Sequence, residues 1–502
     1  MEQIVQWLTT TFDIAKLKAI LMYQEATPLL FNTGLFLILF LCFLLVYRIL
    51  SNNRYLKMIF VILFSIYFYY KSSAEYCLIL LGVCLSDYAL GNLLGITKSS
   101  LARKTIVALN VLANVGMLIY FKYTNLILST FANITSAHFD PLDIILPAGI
   151  SFFTFRSISY IVDVYRGQMS PVKNMLDYIF FLTFFPPLLA GPVVRAKEMI
   201  PQIRANISPT KEMVGEGFFL VMTGLIKKVV IADYISGNFV DRIFDNPALY
   251  SGFENLVGMY GFTLQLYCDF SGYSDMAIGI ALILGYRFAD NFNSPFKSHN
   301  PTEFWRRWHI SLSSWLRDYL YIPMGGSRTT RLRSRLNLLN TMIIGGIWHG
   351  ASWMFLIWGA WNGMLLVLHK ELKKLFPTKE KGYIAPWWKR TLNIFVTFTL
   401  IAFGMIFFRA ESMEHVTDML TQITTNFHIS VAPQFFEGYL LIVIIMAIGL
   451  LLHFAPHKWT LALQSRYNRI PVMFQGIILA AVVFLIIQVR QSDIVPFIYL
   501  QY

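Results

Sequence analysis

Residues 336–368 read LNLLNTMIIGGIWHGASWMFLIWGAWNGMLLVL, and shortly before them residues 303–326 read EFWRRWHISLSSWLRDYLYIPMGG. The later stretch is apolar almost throughout, yet it carries His349. A run of this length exceeds the roughly 20 residues that cross a bilayer core of about 30 Å. Both its flanks are basic. Residues 286–335 carry Arg328, Arg331, Arg333 and Arg335, and the far side carries Lys370, Lys373, Lys374, Lys379, Lys381, Lys389 and Arg390. Lys and Arg collect on the cytoplasmic side of membrane proteins. The run therefore starts and ends on one side, which predicts a helical hairpin, or two short spans, with His349 and Gly350 near its middle. A helix rising 1.5 Å per residue from Leu336 would carry His349 roughly 20 Å, deep into the membrane.

The rest of the chain agrees with a membrane setting. Of 502 residues, 56% are apolar, 16% aromatic and only 14% charged, against about 25% charged in soluble domains. Further spans are predicted near 31–50, 55–70, 74–96, 105–131, 142–164, 176–194, 213–235, 253–285, 392–409, 436–454 and 472–490. Backbone groups in lipid must be satisfied within the protein, so these runs are helices. The short alternating strands of a barrel are missing. The predicted fold class is all-α and polytopic. In FFPPLLAGPVVR, residues 184–195, Pro186, Pro187, Gly191 and Pro192 cannot share one regular helix. Such a break is tolerated at membrane depth only when buried in protein or lining a cavity. Residues 1–27 place Ile4, Trp7, Leu8, Phe12, Ala15 and Ala19 at helical spacing without the layout of a signal peptide. They are expected to form an amphipathic interfacial helix, and residues 28–502 a single transmembrane domain. The formal charge of +13 fits cytoplasmic loops better than nucleic-acid binding. Cys42, Cys77, Cys84 and Cys268 lie in apolar segments without CxxC spacing, and no motif has metal-ligand spacing.

Three groups of side chains carry the candidate chemistry. An ionisable residue deep in a membrane domain is costly, and histidine accepts a proton near neutral pH, so His349 is a candidate general base. Trp348 sits beside it, and Gly345, Gly346 and Gly350 permit close approach. Asn300, Pro301 and Glu303 form a helix start, with Glu303 placed to reach the cap amide. The helix that follows would set His309, Ser313 and Arg317 on one face at i, i+4 and i+8, flanked by Trp305 and Arg306. In YCDFSGYSDMAIG, residues 267–279, Asp269, Tyr273 and Asp275 form a polar patch whose acids need partners, the arginines of the 303–317 helix among the candidates. By residue chemistry alone, three alternatives stay open. The histidines can tie helices together, His349 and Asp269 can line a proton path of a transporter or channel, or the chain can be a structural membrane scaffold.

NFNSPF at 291–296, the 303–326 stretch, IWHGASWMFLIWGAWNG at 347–363, LLAGPVVR at 188–195 and the closing PFIYLQY resemble the membrane-bound O-acyltransferase superfamily. Within it they are similar to the branch of alginate O-acetylases, peptidoglycan O-acetylation proteins and teichoic-acid D-alanyl transfer proteins. The resemblance implies a ring of about 11–13 transmembrane or re-entrant helices around a central tunnel, with a catalytic core near 260–370. It implies His349 as the catalytic histidine and His309 as a second polar position. It further implies a cytosolic thioester donor, acetyl-CoA or an acyl carrier protein, with no bound cofactor. A periplasmic acetyltransferase partner, a polysaccharide acceptor and the bacterial inner membrane complete the expectation. D-alanyl transfer to teichoic acid is the nearest alternative.

Overall fold

A computed structural model describes residues 14–24, 28–376 and 386–489. Most of the expected interfacial segment, residues 1–13 and 25–27, lies outside the described residues, as do Lys379, Lys381 and PFIYLQY. Its described part forms a short helix, Ile14–Leu21. The described residues contain no strand, and the all-α, polytopic architecture expected from the sequence is present. Gly34–Asn52, Arg54–Ile96, Ser100–Thr135 and Trp387–Arg409 are long and apolar enough to cross a membrane. Two bent pairs join them: Ile429–Gly438 with Leu440–Phe454 at 93°, and His457–Arg469 with Val472–Phe484 at 119°.

The chain forms two compact units. The first holds the described residues up to Phe121, with Ile144–Leu189 and Arg195–Ser208. Its helices are α1 (Gly34–Ile49), α2 (Arg54–Ser73), α3 (Cys77–Ile96), α4 (Ser100–Leu118), α5 (Ile150–Tyr165) and α6 (Met175–Thr183). Thr33 and Asn53 cap α1 and α2, accepting from Phe36 N and Leu56 N at 3.3 and 3.1 Å. On α1, Phe36, Phe40 and Phe43 are buried while Leu41, Leu45 and Ile49 are exposed. A helix apolar on both faces packs one against protein and offers the other to lipid. In the interior of this unit, Asp87 accepts from Asn110 Nδ2 (2.7 Å), Ser157 Oγ (2.8 Å) and Tyr178 OH (2.7 Å). Four helices are thereby tied by one carboxylate. Asp163 pairs with Lys197 at 3.5 Å. Arg156 is fully buried, donates to Phe181 O and lies over the Phe181 ring. The predicted break is present: α6 stops at Thr183, residues 184–195 are irregular and buried, and helix resumes at Ala196.

The second unit holds Lys122–Asp143, Ala190–Val194 and the described residues from Pro209 onward. Its axis is α8 (Gly252–Ile283), 32 residues long, or roughly 48 Å. α7 (Lys211–Leu225) lies against it at backbone distance. A Cβ on Gly217 would meet Gly279 O at 2.6 Å, and one on Gly224 would meet Gly272 O at 2.5 Å. Small residues give membrane helices this closeness, where dispersion and backbone contact drive association. The acids of α8 find their partners here, and the arginines considered from the sequence are not those partners. Lys228 Nζ lies 2.5 Å from Asp269 and 2.7 Å from Asp233, while Lys227 lies 2.7 Å from Asp275. The lysines belong to a π-turn, Ile226–Asp233, directly after α7, so they reach α8 before more distant arginines do. Short helices α9 (Pro301–Arg307) and α10 (Ile310–Leu316) precede a hairpin of α11 (Arg331–His349) and α12 (Trp353–Leu375). α13 (Trp387–Arg409) follows. A helical hairpin is present over the predicted stretch, its two helices joined by Gly350, Ala351 and Ser352, and neither helix is among those long and apolar enough to cross a membrane.

Candidate active site

His349 is the last residue of α11 and is buried, at 3% exposure. Three features hold it there. Gly346 packs backbone to backbone: a Cβ would meet Phe355 O at 2.4 Å and Gly359 Cα at 2.8 Å. Gly350 takes an extended conformation, φ −162° and ψ 157°, and a side chain there would run into the Phe355 ring at 1.9 Å. Ser352 then starts α12, its hydroxyl accepting from Met354 N at 3.2 Å. The third feature comes from far back in the sequence. Lys122 Nζ donates to Trp348 O (2.8 Å) and His349 O (3.0 Å), and Tyr123 OH donates to Ile347 O (2.8 Å). The end of a helix leaves carbonyls without intrahelical donors and carries a partial negative charge. A lysine and a tyrosine therefore complete the end of α11 that bears the histidine. Both sit at a π-turn, Ile119–Tyr123, a distortion often found at functional sites.

The predicted continuous helix over 301–317 is two helices. Its start is as expected, with Asn300 Oδ1 accepting from Glu303 N at 2.9 Å. Glu303 reaches one residue further back than predicted, to His299 N at 3.0 Å, and its other oxygen takes Arg307 at 2.8 Å. The helix ends at Arg307. Trp308 is extended, and His309 is left-handed at φ 42°, ψ 56°. The cause is the 291–293 loop. Asn293 N donates to Arg307 O and Ile310 N donates to Asn291 O, each at 2.9 Å, using backbone groups that a continuous helix would bond internally. His309, Ser313 and Arg317 consequently do not share one helical face. His309 is fully buried; Ser313 is half-buried, with Oγ donating to Trp308 O at 3.3 Å. Arg306 and Arg317 are exposed, and Arg317 Nε bonds Asp318 Oδ1 at 2.7 Å. Neither arginine contacts the two histidines among the described residues.

The two histidines do come together, through aromatic rings. Ring centroids separate His309 and Trp348 by 6.2 Å, Trp348 and His349 by 5.0 Å, His349 and Trp358 by 4.9 Å, and Trp358 and Trp305 by 5.8 Å. Phe270 closes the His309 end at 4.6 Å, edge on, and Phe408 flanks His349 at 5.4 Å. The indole N–H groups of Trp305 and Trp358 and the Nε2 of His309 are buried and meet no hydrogen-bond partner among the described residues. Buried polar groups are normally bonded, so this file of rings holds three polar atoms whose hydrogen-bonding capacity the described residues leave unused. Of the other expected site residues, Asp269 is buried in its ion pair with Lys228, and Tyr273 is buried one turn further along α8. Among the described residues, no three His, Cys, Asp or Glu side chains gather in a way that could hold a metal ion.

Lys122, Tyr123, Asn291 and Ser311 were not singled out by the sequence reading. Asn291 Oδ1 accepts from Ser311 N (3.3 Å) and Ser311 Oγ (2.8 Å) and lies 3.1 Å from His309 Nδ1. Ser311 Oγ accepts in turn from Val193 N at 2.9 Å, so the irregular 190–194 stretch is bonded to the histidine's support. Outside the rings, Arg331 and Arg335 converge on Glu371, and Lys370 donates to Ser334 Oγ at 2.7 Å.

Residues 148–408, which include both histidines, match the sequence model of MBOAT, the membrane-bound O-acyltransferase family. The chain is 40% identical over 394 residues to the probable alginate O-acetylase AlgI of Pseudomonas aeruginosa, covering 77% of this chain and 73% of that protein. It is 36% identical over 434 residues to the peptidoglycan O-acetyltransferase of Helicobacter pylori, covering 80% and 81%. To the teichoic acid D-alanyltransferase of Bacillus subtilis it is 28% identical over 289 residues, covering 55% and 72%. With the same histidine-bearing core lying inside the matched region, the chain belongs to the membrane-bound O-acyltransferase family and is a multi-pass O-acyltransferase.

Proposed function

We propose that this protein works in a bacterial inner membrane, taking acetyl groups from cytosolic acetyl-CoA and passing them through a periplasmic partner toward hydroxyls of an exported polysaccharide. The observation that carries this reading is the joining of His349 and His309 through Trp348 within one buried ring file. The names of the two relatives at 40% and 36% identity, an alginate and a peptidoglycan O-acetylating enzyme, support acetyl as the group and a glycan as its destination. His349 takes the proton of the attacking hydroxyl. The oxygen bonds to the thioester carbonyl carbon, the C–S bond breaks, and the departing thiolate recovers the proton from the imidazolium. Such proton transfer contributes about 10²–10⁴-fold. A thioester is already activated, so holding the reactants in line supplies much of the remainder. Exposed Arg328 and Arg333 suit the approach of a phosphate-bearing donor.

The D-alanyl alternative rests on a relative of 28% identity. Membership of an acyltransferase family removes the transporter and scaffold readings. Supplying purified protein in nanodiscs with labelled acetyl-CoA and, in parallel, with D-alanine loaded on its carrier separates the two donors. Consumption of acetyl-CoA alone is expected; consumption of the loaded carrier alone would replace acetyl with D-alanyl.

A further inference from the structure

The hydrogen bonds around Asn291 fix a chemical property of His309. Asn291 is buried, at 1% exposure. The atom it turns toward Ser311 faces a backbone N–H, which can only donate. That atom is therefore the amide oxygen, and Asn291 Nδ2 is left to donate to Ser274 Oγ at 3.1 Å. The same oxygen lies 3.1 Å from His309 Nδ1. An oxygen without a proton requires a donor opposite it, so His309 carries its hydrogen on Nδ1. A neutral imidazole has one N–H. The lone pair is on Nε2, the buried nitrogen that meets no partner among the described residues. The left-handed backbone of His309, an uncommon conformation for a residue with a side chain, is held by the same loop.

We propose that Asn291 is a positioning residue: it locks His309 as the Nδ1–H tautomer, so that Nε2 accepts a hydrogen bond from an O–H or S–H group of a reactant. This rests on the acyltransferase reading above and adds the polarity of the second histidine. A thioester carbonyl or its oxyanion, which needs a donor, is thereby excluded as the partner of neutral His309. The titratable groups around it are few. His349 follows the Trp348 ring that touches His309, and Lys122 caps the carbonyls of both those residues. Asp269 and Tyr273 flank Phe270 on α8, the former neutralised by Lys228. Asp290 precedes Asn291, while Glu303 pairs with Arg307 on α9 and Arg306 is exposed there.

Asn291→Asp tests the proposal without unmaking the site. One carboxylate oxygen accepts from Ser311 and His309, the other from the Ser274 hydroxyl. The added negative charge favours the imidazolium, so His309 stays protonated to higher pH. The acid limb of the transfer rate is expected to move up by about one pH unit or more, and not to move when His309→Ala is also present. Asn291→Leu keeps the bulk and removes the acceptor; it should lower kcat several-fold with little change in KM. Free coenzyme A distinguishes the two hydrogen donors. Weaker product inhibition in His309→Ala marks the thiol, and unchanged inhibition marks the acceptor hydroxyl. Nitrogen-15 NMR of histidine-labelled protein, assigned by the signal lost in His309→Gln, reads the tautomer without turnover. An Nδ1–H signal is expected even if acetyl-CoA proves to be the wrong donor. An Nε2–H signal, or an acid limb unmoved by Asn291→Asp, would overturn the proposal.

Discussion

Asp87 and His309 are both buried polar groups in helical, lipid-adapted surroundings, and they are treated in opposite ways. Asp87 is surrounded by three donors from three other helices, each at hydrogen-bonding distance. His309 is equally buried, yet one ring nitrogen is bonded and the other meets no hydrogen-bond partner among the described residues. Burying a polar group without a partner costs roughly 1–3 kcal/mol. A satisfied carboxylate commits its hydrogen bonds to the fold; an imidazole with an open nitrogen keeps one unused, which the proposed role of His309 assigns to a reactant. The Lys228–Asp269–Asp233 cluster belongs with Asp87, and Trp305 and Trp358 belong with His309.

The largest expected effect falls on the reactive side of this comparison. His349→Ala should lower transfer by about 10²–10⁴-fold while the protein still elutes as a folded species; near-normal turnover of that species would remove the general-base role. Asp87→Ala should do the reverse. It strands three donors at roughly 1 kcal/mol or more each, so thermal unfolding should come markedly earlier, with turnover per folded molecule unchanged. Loss of activity at full stability would break the distinction between the two sites. Lys122→Met removes the cation at the end of α11 and lets His349 shift. A fall in kcat of up to about 10²-fold with KM nearly constant is expected, with partial recovery in Lys122→Arg. His309→Ala should cost about tenfold, the worth of one hydrogen bond; a loss equal to that of His349→Ala would make the two histidines equal partners. The smallest effect concerns Glu371. Arg335 and Arg331 hold its carboxyl down to about 2, against roughly 4.3 when unfolded. Its contribution to stability is complete above pH ~4.3 and disappears as pH falls toward 2. Glu371→Gln should flatten that part of the acid-unfolding curve, and an unchanged curve would remove the pairing from the account.

The hairpin of α11 and α12 was legible because hydrophobic length and flanking charge are local properties of the chain. So was the break at 184–195, since Pro186, Pro187, Gly191 and Pro192 fall too close together to share the interior of one regular helix. The interruption at Trp308–His309 was not legible. Nothing in WRRWHISLSS opposes a helix; the competing hydrogen bonds come from Asn291 and Asn293. Asp269 was rightly read as needing a partner, but the choice of Lys228 over an arginine depended on the π-turn at 226–233. Lys122 had a signal that went unused: it is a lone cation inside an apolar span, and such residues are functional candidates by default. Asn291 had none beyond its place in NFNSPF, because a single buried amide leaves no periodicity.

The most direct test of catalysis by the ring-lined histidines is free-thiol release from acetyl-CoA by purified wild type and His349→Ala, side by side in nanodiscs. Release by wild type and none above background by His349→Ala is the expected result. Equal release by both would contradict the catalytic assignment of His349.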